Sequence, residues 1–445
     1  MLNSYSAAKD NRFLFTTFCK FRVRVAKLIM VMMGCWQVVP VAQAATLTWD
    51  IGPFDGGITT GGNGTWTNGL GGWNTGSGNT IWHNATPDSA TFRGLMGTVT
   101  LGGAVTVGNI VFNSPYTLAG GGNTLTLSHS TITVNAAATI SATLGGSTGL
   151  LKSGTETLTL SGSNTYTGVT TINAGILGVS VFADGGSSSG IGAASNDAAN
   201  LVLNGGVLRN TAGPATTDRL FSVGLNGGRI ETPYANLNFT NTGAIGFNGQ
   251  SGARTLTLSG FMRMAPVIGD GGGATSLVID TPGYQVTLVG NNTYSGTTTI
   301  TPGSLLKVGE GGTSGSLGTG DVILNGFIVF SRSDTVTVAN NISGISALDI
   351  ANPSSGVTIL TGNNSYIYGT TIRGGTLRVS ILADGGMPSN IGASSNSASK
   401  MSIQGGCFST WALGPAQTAF SCWVTWGLHS TPLELGRFTL PTRAV

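Results

Sequence analysis

The sequence has little of the chemistry that most enzymes and nucleic-acid-binding proteins use. Only 8% of its 445 residues are charged, and it contains three histidines and four cysteines. Only His83 and His129 precede residue 407, so the sequence predicts no histidine-based metal site or catalytic triad. It also lacks the Gly-Gly-x-Gly-x-Asp calcium repeat and the Gly-Lys-Ser/Thr phosphate loop. We therefore expect no cofactor, no metal and no catalytic residues.

Cysteine is confined to the two ends of the chain. Cys19 and Cys35 lie within the first 44 residues, and the next cysteine is Cys407. A chain that crosses an outer membrane unfolded would be trapped by a disulfide that closed too early in the periplasm. The distribution therefore favours export over the alternative, which is a low cysteine content by chance.

Residues 1–44 are typical of a secretory signal peptide with a long basic leader. Six basic residues precede the apolar run from Leu28 to Val39. That run is shorter than the about 20 residues that span a bilayer, so a stable membrane segment is the less favoured alternative. Ala42, Ala44 and Ala45 form a small-residue cleavage site, and we predict cleavage after Ala44.

Removal of the leader changes the charge of the protein. Residues 45–445 carry 14 basic and 16 acidic residues, a net charge of about −2. The formal charge of +3 thus belongs to the targeting segment. The sequence predicts no nucleic-acid partner.

Glycine is abundant, at 72 residues, and much of it recurs in a repeated unit. The stretch TLTLSGSNTYTGVTTINAGILGVSVFADGGSSSGIG at 157–192 returns two hundred positions later without a gap, and a shorter copy spans 286–309. The repeat-structural positions are Gly162, Asn164, Tyr166, Gly168 and Gly175 in the first copy, Gly290, Asn292, Tyr294, Gly296 and Gly303 in the second, and Gly362, Asn364, Tyr366 and Gly375 in the third. A repeat of this kind predicts a solenoid or a propeller.

Each unit contains short β-branched or alternating runs between Gly, Ser, Asn and Asp, which predicts strands joined by turns and almost no helix. Coils of twenty to twenty-five residues must stack to bury enough apolar surface. We expect about fifteen coils, in a rod of the order of 70 Å. The recurrent Asn164, Asn292 and Asn364 predict either an amide ladder between coils or an Asx-turn, and the sequence leaves both open.

The segment TLTLSGSNTYTGVTTINAGIL resembles the autotransporter-associated β-strand repeat, found in the passengers of type V secreted autotransporters. The third copy departs from the pattern because Tyr368 replaces the expected glycine. The resemblance implies an all-β fold, a right-handed parallel β-helix or β-solenoid. It also implies a cell-surface, outer-membrane or extracellular location and an adhesin or stalk function. The secretion machinery is a further partner that the resemblance implies. An unknown surface or glycan ligand is the expected partner, with self-association as a further possibility.

The chain divides into a signal peptide, a Gly/Trp-rich N-terminal cap at 45–97, the β-helix at 98–406 and an aberrant, disordered tail at 407–445. Trp49, Trp66, Trp73 and Trp82 either cover the open end of the solenoid or form a platform for sugars. The tail brings both remaining cysteines and does not resemble the equivalent stretch from Val207, which suggests a frameshift or truncation before a β-barrel. A true truncation would leave the product in the periplasm.

Two other functions remain as alternatives to a non-enzymatic passenger. A carbohydrate-active β-helix would need a pair of carboxylates at a defined separation, and the candidates are Asp270, Asp280, Asp321, Asp334 and Asp349. Asp184 and Asp384 occupy equivalent repeat positions before two glycines, which favours a turn over catalysis. The third possibility is a non-functional fragment of a broken gene.

Overall fold

The computed structural model describes residues 44–52, 60–410 and 420–421. All of them belong to one compact unit that starts at Ala44. The described residues are almost entirely strand and turn, and their helical segments are the two 3-10 helices Ala198–Asn200 and Ala398–Lys400. The low helix content follows from the glycine-rich composition, since glycine inside a helix costs about 1 kcal/mol relative to alanine.

The described residues wind into a parallel β-solenoid of about 13 turns. Successive turns are offset by 20 or 22 residues where the coils are compact, as in the contacts between Thr133 and Ser153 and between Asn113 and Asn135. The offset rises to 31 residues between Asn173 and Asn204, where a long loop leaves the solenoid. This longer excursion is one reason why the structure has fewer turns than the fifteen expected.

The first wall of the solenoid is a sheet of parallel strands that stack in chain order. Its parallel members are Thr46–Trp49, Ser89–Phe92, Ile110–Phe112, Thr131–Val134, Leu150–Ser153, Thr170–Ile172, Leu201–Leu203 and Ser222–Val223. At its first edge two short antiparallel strands, Trp73–Asn74 and Asn79–Thr80, pair with the strand that starts at Thr46. A smaller parallel sheet contains Val105–Val107, Thr124–Leu127 and Thr143–Gly145.

A second wall runs alongside and continues into the later turns. It starts with Gly64–Trp66, Gly97–Leu101, Tyr116–Ala119, Ala138–Ile140, Thr157–Leu160, Ile176–Val179 and Val207–Asn210. The wall then contains two long strands that turn a corner of the solenoid, Gly228–Phe239 and Arg254–Met264. The short strand Ala215–Thr217 pairs with the second half of Gly228–Phe239. Nothing in the repeat pattern indicated that each of the two long strands would run continuously around a corner.

Beyond the long strands the sheet divides into two branches. One branch contains Thr275–Ile279, Thr298–Ile300, Val322–Leu324 and Ile342–Ser343. The other contains Gln285–Leu288, Leu305–Val308, Phe327–Phe330, Ala347–Ala351, Gly369–Gly374 and Met401–Ile403. A last sheet consists of Thr335–Val338, Val357–Leu360, Thr376–Val379, Cys407–Thr410 and the antiparallel Phe420–Ser421.

The final parallel strand extends the solenoid beyond the boundary predicted for the tail. Cys407–Thr410 pairs in register with Thr376–Val379, just as Val207–Asn210 pairs with Ile176–Val179. The ladder thus enters the stretch that the sequence assigned to the tail at 407–445. Apart from 420–421, the rest of that stretch lies outside the described residues.

The core consists of aliphatic side chains that alternate with outward-facing threonines. In Thr157–Leu160 both leucines are fully buried while both threonines are half-buried, and the same alternation recurs in Thr124–Leu127 and Thr131–Val134. Each fully buried leucine or isoleucine contributes about 1.5–3 kcal/mol relative to an exposed one. Because one turn offers few such residues, stacking on its neighbours supplies the stability.

The long loop at 181–199 is held by a buried arginine from the next turn. Arg219 is 2% exposed, and its guanidinium donates to the backbone carbonyls of Ala183, Asp184, Ser187, Gly192 and Ala194. Burial lowers the pKa of Arg219, while Tyr166, Asp218 and Asp184 oppose that shift. The neighbouring Asp218 accepts from the Gly185 backbone N–H at 2.7 Å and from Asn196 at 2.8 Å. Nothing in the repeat pattern indicated this contact.

Candidate binding surface

The three repeat asparagines lie in the interior and bridge three successive turns. Asn164 accepts from the Leu144 backbone N–H at 2.9 Å and donates to the Gly190 carbonyl at 3.0 Å. Asn292 and Asn364 repeat the arrangement with equivalent backbone groups. The prediction of an amide ladder or an Asx-turn at these positions is therefore wrong, because the amide pairs with backbone groups of the turns before and after it.

An asparagine pair of the predicted kind occurs elsewhere, on the exterior. Asn135 donates to the side-chain oxygen of Asn113 at 2.8 Å, one turn away. The interior asparagines bind backbone groups instead of each other. Buried backbone N–H and C=O groups need hydrogen-bond partners, and the asparagine amides supply them.

The repeat tyrosines are fully buried and each pairs with a threonine four residues later. Tyr166 and Thr170 approach to 2.7 Å, as do Tyr294 and Thr298, and Tyr366 and Thr370 approach to 2.6 Å. Burial raises the pKa of each tyrosine above its usual range, and the threonine hydroxyl partly offsets that rise. These side chains are core elements and cannot contact a ligand.

The repeat glycines fall into two groups. Gly175, Gly303 and Gly375 have positive φ values of 62°, 78° and 66°, a conformation that a side chain disfavours. Gly162, Gly168, Gly290, Gly296 and Gly362 instead touch the neighbouring turn closely, with a backbone atom 3.0 Å or less from where a Cβ would lie.

The third copy accommodates Tyr368 by a different backbone path. Tyr368 is 62% exposed, and the Lys400 ammonium lies 4.7 Å from its ring centre. The next residue, Gly369, takes a positive φ of 110° and begins the strand Gly369–Gly374. The tyrosine that stands in place of the expected glycine therefore lies on the exterior.

The outer wall of the middle turns carries a row of exposed aromatic side chains, here called the aromatic row. Its members are Tyr234, Phe261, Tyr284 and Phe327, which are 81%, 42%, 46% and 53% exposed. Most large apolar side chains on the strands point inward, so four exposed aromatics on one side of the solenoid form an unusual surface.

The strand register places these four residues in line along one wall. Residues 233–236 bulge opposite Phe261, because Thr232 pairs with Gly260 and Leu237 with Met262. The Tyr284 hydroxyl donates to the Pro233 carbonyl at 3.3 Å. Phe327 lies two strands further on, since Leu305 pairs with both Gln285 and Phe327. With strands about 4.8 Å apart, the row extends over roughly 20 Å.

Ion pairs lie on both sides of the aromatic row. On one side, Glu231 accepts from Arg209 at 2.7 Å and from Arg229 at 2.6 Å, and Arg229 also reaches Asp280 at 2.9 Å. On the other side, Arg263 contacts Glu310 at 2.9 Å. Such half-exposed pairs contribute little to stability, but they give the surface fixed charges beside its aromatic centre.

The five candidate catalytic carboxylates each have a partner of their own in the wall. Asp280 and Asp349 pair with Arg229 and Arg373, and Asp321 accepts from Asn341. Asp334 binds Arg332 through both carboxylate oxygens. The Arg332 hydrogen bonds lower the pKa of Asp334, which keeps it ionised.

Asp270 is the fifth carboxylate, and it joins two turns of the backbone. It accepts from the backbone N–H groups of Thr275 at 2.7 Å and of Ser295 at 2.9 Å. Burial favours a higher pKa, but the hydrogen bonds from Ser295 and Thr275 together lower it. A general acid needs a raised pKa, whereas the pKa values of Asp270 and Asp334 are lowered.

Asp184 and Asp384 lie in turns, in the manner that the repeat suggested. Their backbone carbonyls accept from Ser187 at 3.1 Å and Met387 at 3.0 Å. The Asp184 carboxylate accepts from the backbone N–H of Asp218 at 2.8 Å and thereby links the loop to the following turn.

One cavity of about 180 Å³ lies between residues 316–319 and 336–340, below the about 300–1,000 Å³ typical of ligand pockets. No cluster of three or more His, Cys, Asp or Glu side chains suited to a metal ion occurs among the described residues. Within the same residues, no helix has the length and apolarity needed to cross a membrane.

The four tryptophans near the start of the solenoid are buried. Trp49, Trp66, Trp73 and Trp82 are at most 1% exposed, and their rings meet at centroid distances of 4.6 to 5.2 Å. In this position they cannot stack on sugar rings. Their burial supports a capping role for residues 45–97, which stays a prediction.

The predicted cleavage site lies at the edge of the described residues. Ala42 lies outside them, while Ala44 and Ala45 are exposed and come just before the first strand. The cleavage itself stays a prediction.

The stacked turns and their recurrent interior Asn, Tyr and Gly residues define the protein as a repeat-built parallel β-solenoid. The passenger-associated-transport-repeat family model matches residues 150–179, 285–306 and 354–379. These ranges include most of each repeat copy found in the sequence, so the resemblance to an autotransporter repeat is confirmed.

The chain is also similar to the adhesin BmaC autotransporter of Brucella suis biovar 1 (strain 1330). The two are 41% identical over 175 residues, which is 38% of this chain. The chain spans only 5% of the length of that relative. No solved structure matches this chain. The similarity is therefore to a short part of an autotransporter adhesin.

Proposed function

We propose that this chain is a non-enzymatic adhesive segment of a surface-exposed or secreted passenger. The observation that carries the proposal is the 41% identity to part of an autotransporter adhesin. In this proposal the solenoid is a stalk whose outer wall binds a surface ligand, and the interior repeat residues only maintain the stack.

The aromatic row is the part of the wall that we propose binds the ligand. Aromatic side chains supply large contact areas with little loss of conformational entropy, and they dominate the energetics of many interfaces. The flanking ion pairs of Arg229 and Arg263 would orient a polar partner along the row. A glycan or a protein on a target surface would both suit this combination.

The test is binding of the purified chain to intact cells and to an array of glycans. The variant is Tyr234→Ser, Phe261→Ser and Tyr284→Ser combined. The control is Tyr368→Ser, which removes another exposed aromatic side chain outside the row. We expect the triple variant to bind at least about 30-fold more weakly, corresponding to about 2 kcal/mol for a cluster of central interface residues.

Two results would contradict the proposal. Equal binding by the triple variant and the wild type would remove the aromatic row from the interface. Release of sugar products from any glycan on the array, lost on substitution of Asp270 or Asp280, would favour the carbohydrate-active alternative.

A further inference from the structure

The first turn of the solenoid contains a buried carboxylate next to the predicted cleavage site. Asp88 is 6% exposed and lies immediately before the strand Ser89–Phe92. Its Oδ1 atom accepts from the backbone nitrogen of Ala45 at 2.7 Å. The carbonyl of Ala45 in turn accepts from the Ser89 backbone N–H at 2.8 Å. Residues 88 and 89 therefore hold Ala45 by both of its backbone polar groups.

The partner of Asp88 changes in charge if the chain is cut before Ala45. In the uncut chain the nitrogen is a neutral amide, which gives a buried carboxylate one hydrogen bond and no compensating charge. Hydrolysis breaks the bond between the Ala44 carbonyl carbon and the Ala45 nitrogen, and water supplies the oxygen of the new Ala44 carboxylate. The nitrogen takes up protons to become an ammonium group, which has one positive charge and three donors. Buried carboxylates are stabilised by such partners.

We propose that Asp88 is a binding site for the α-ammonium group that cleavage creates at Ala45. The peptide bond lies where a peptidase could reach it, since Ala44 and Ala45 are both exposed. The captured terminus is contiguous with Thr46–Trp49, which pairs with the next turn through Ser89 to Thr91. Capture therefore fixes the first strand at the end where the wall would otherwise fray.

The inference rests on the proposed export and cleavage. The experiment exports the full chain, recovers the processed protein and determines its amino-terminal residue by mass spectrometry. The rate of acetylation of the α-amine is then measured at pH 7.5 with an activated ester, because only the neutral amine reacts. The variants are Asp88→Asn and the control Asp197→Asn, whose carboxylate is exposed and caps Ala198–Asn200.

We expect the processed chain to begin at Ala45. We expect its α-amine to react about tenfold more slowly than in Asp88→Asn, since an adjacent carboxylate raises the pKa of an amine by about one unit or more. The Asp197→Asn protein should react like the wild type. If Asp88→Asn does not fold, the same comparison is made between the wild type in buffer and in concentrated urea, with the same expected ratio.

Distinct results would overturn each step. A processed chain that begins at another residue would refute cleavage at Ala45. A chain that begins at Ala45 but reacts at the same rate with and without Asp88, or folded and unfolded, would refute capture. Neither result depends on the aromatic row, so loss of ligand binding and failure of this inference can be told apart.

Discussion

Replacement of Asn164 by alanine tests whether the interior amide joins three turns of the solenoid. Asn164 is 1% exposed, and its two hydrogen bonds satisfy the Leu144 N–H and the Gly190 carbonyl. Alanine leaves both backbone groups buried without a partner. Each unsatisfied group costs about 1–3 kcal/mol, so the variant should lose about 2–6 kcal/mol of local stability.

Amide hydrogen exchange at Leu144 measures this loss locally, which suits a repeat protein whose turns need not unfold together. A loss of about 2 kcal/mol would accelerate exchange through local opening by about 30-fold. The matched control is Asn135→Ala, which removes an exposed hydrogen bond to Asn113 and should change stability by less than about 1 kcal/mol. Equal effects of the two substitutions on exchange near Leu144 would refute the reasoning.

Two further substitutions test the interior. Gly192→Ala adds a Cβ 2.6 Å from the Tyr166 carbonyl oxygen at a φ of 81°, so it should lower the urea midpoint by clearly more than Gly186→Ala, where φ is 84° and nothing lies within 4 Å. Burial lowers the pKa of Lys152 from 10.5 to about 8, an effect that Glu156 partly opposes. Between these values the unfolded chain binds more protons, so stability should rise with pH from about 8 to 10.5, and urea titrations of Lys152→Met should lack that rise.

The sequence predicted the solenoid because alternation within strands and recurrent turn residues follow directly from the backbone geometry of a repeated coil. Alternation in TLTLS fixed which side chains of Thr157–Leu160 face inward, and the recurrent glycines marked turns that allow no side chain. The partners of Asn164 could not be predicted. They lie 20 residues before it and 26 residues after it, and a repeat in sequence does not say which backbone groups of neighbouring turns remain unpaired.

The candidate surface was the least predictable part. Tyr234 and Phe261 lie at the bulge where two long strands turn a corner, outside the repeat copies. The repeat does not determine which outward position carries an aromatic side chain, because neither packing nor backbone conformation constrains outward side chains. The burial of the tryptophans was equally unpredictable. The sequence left open whether they are exposed, and only the three-dimensional packing places Trp66 in the interior.

The arginine that holds the loop at 181–199 has a consequence for how such genes change their repeat number. Arg219 lies some twenty residues after the end of that loop, in the next turn of the chain. Unequal recombination between the copies at 157–192 and 357–392 can therefore separate a loop from the side chain that closes it. Position 419, two hundred residues after Arg219, is alanine. A copy of the loop taken without the turn that follows it would lack Arg219, so the structural unit is longer than the visible repeat.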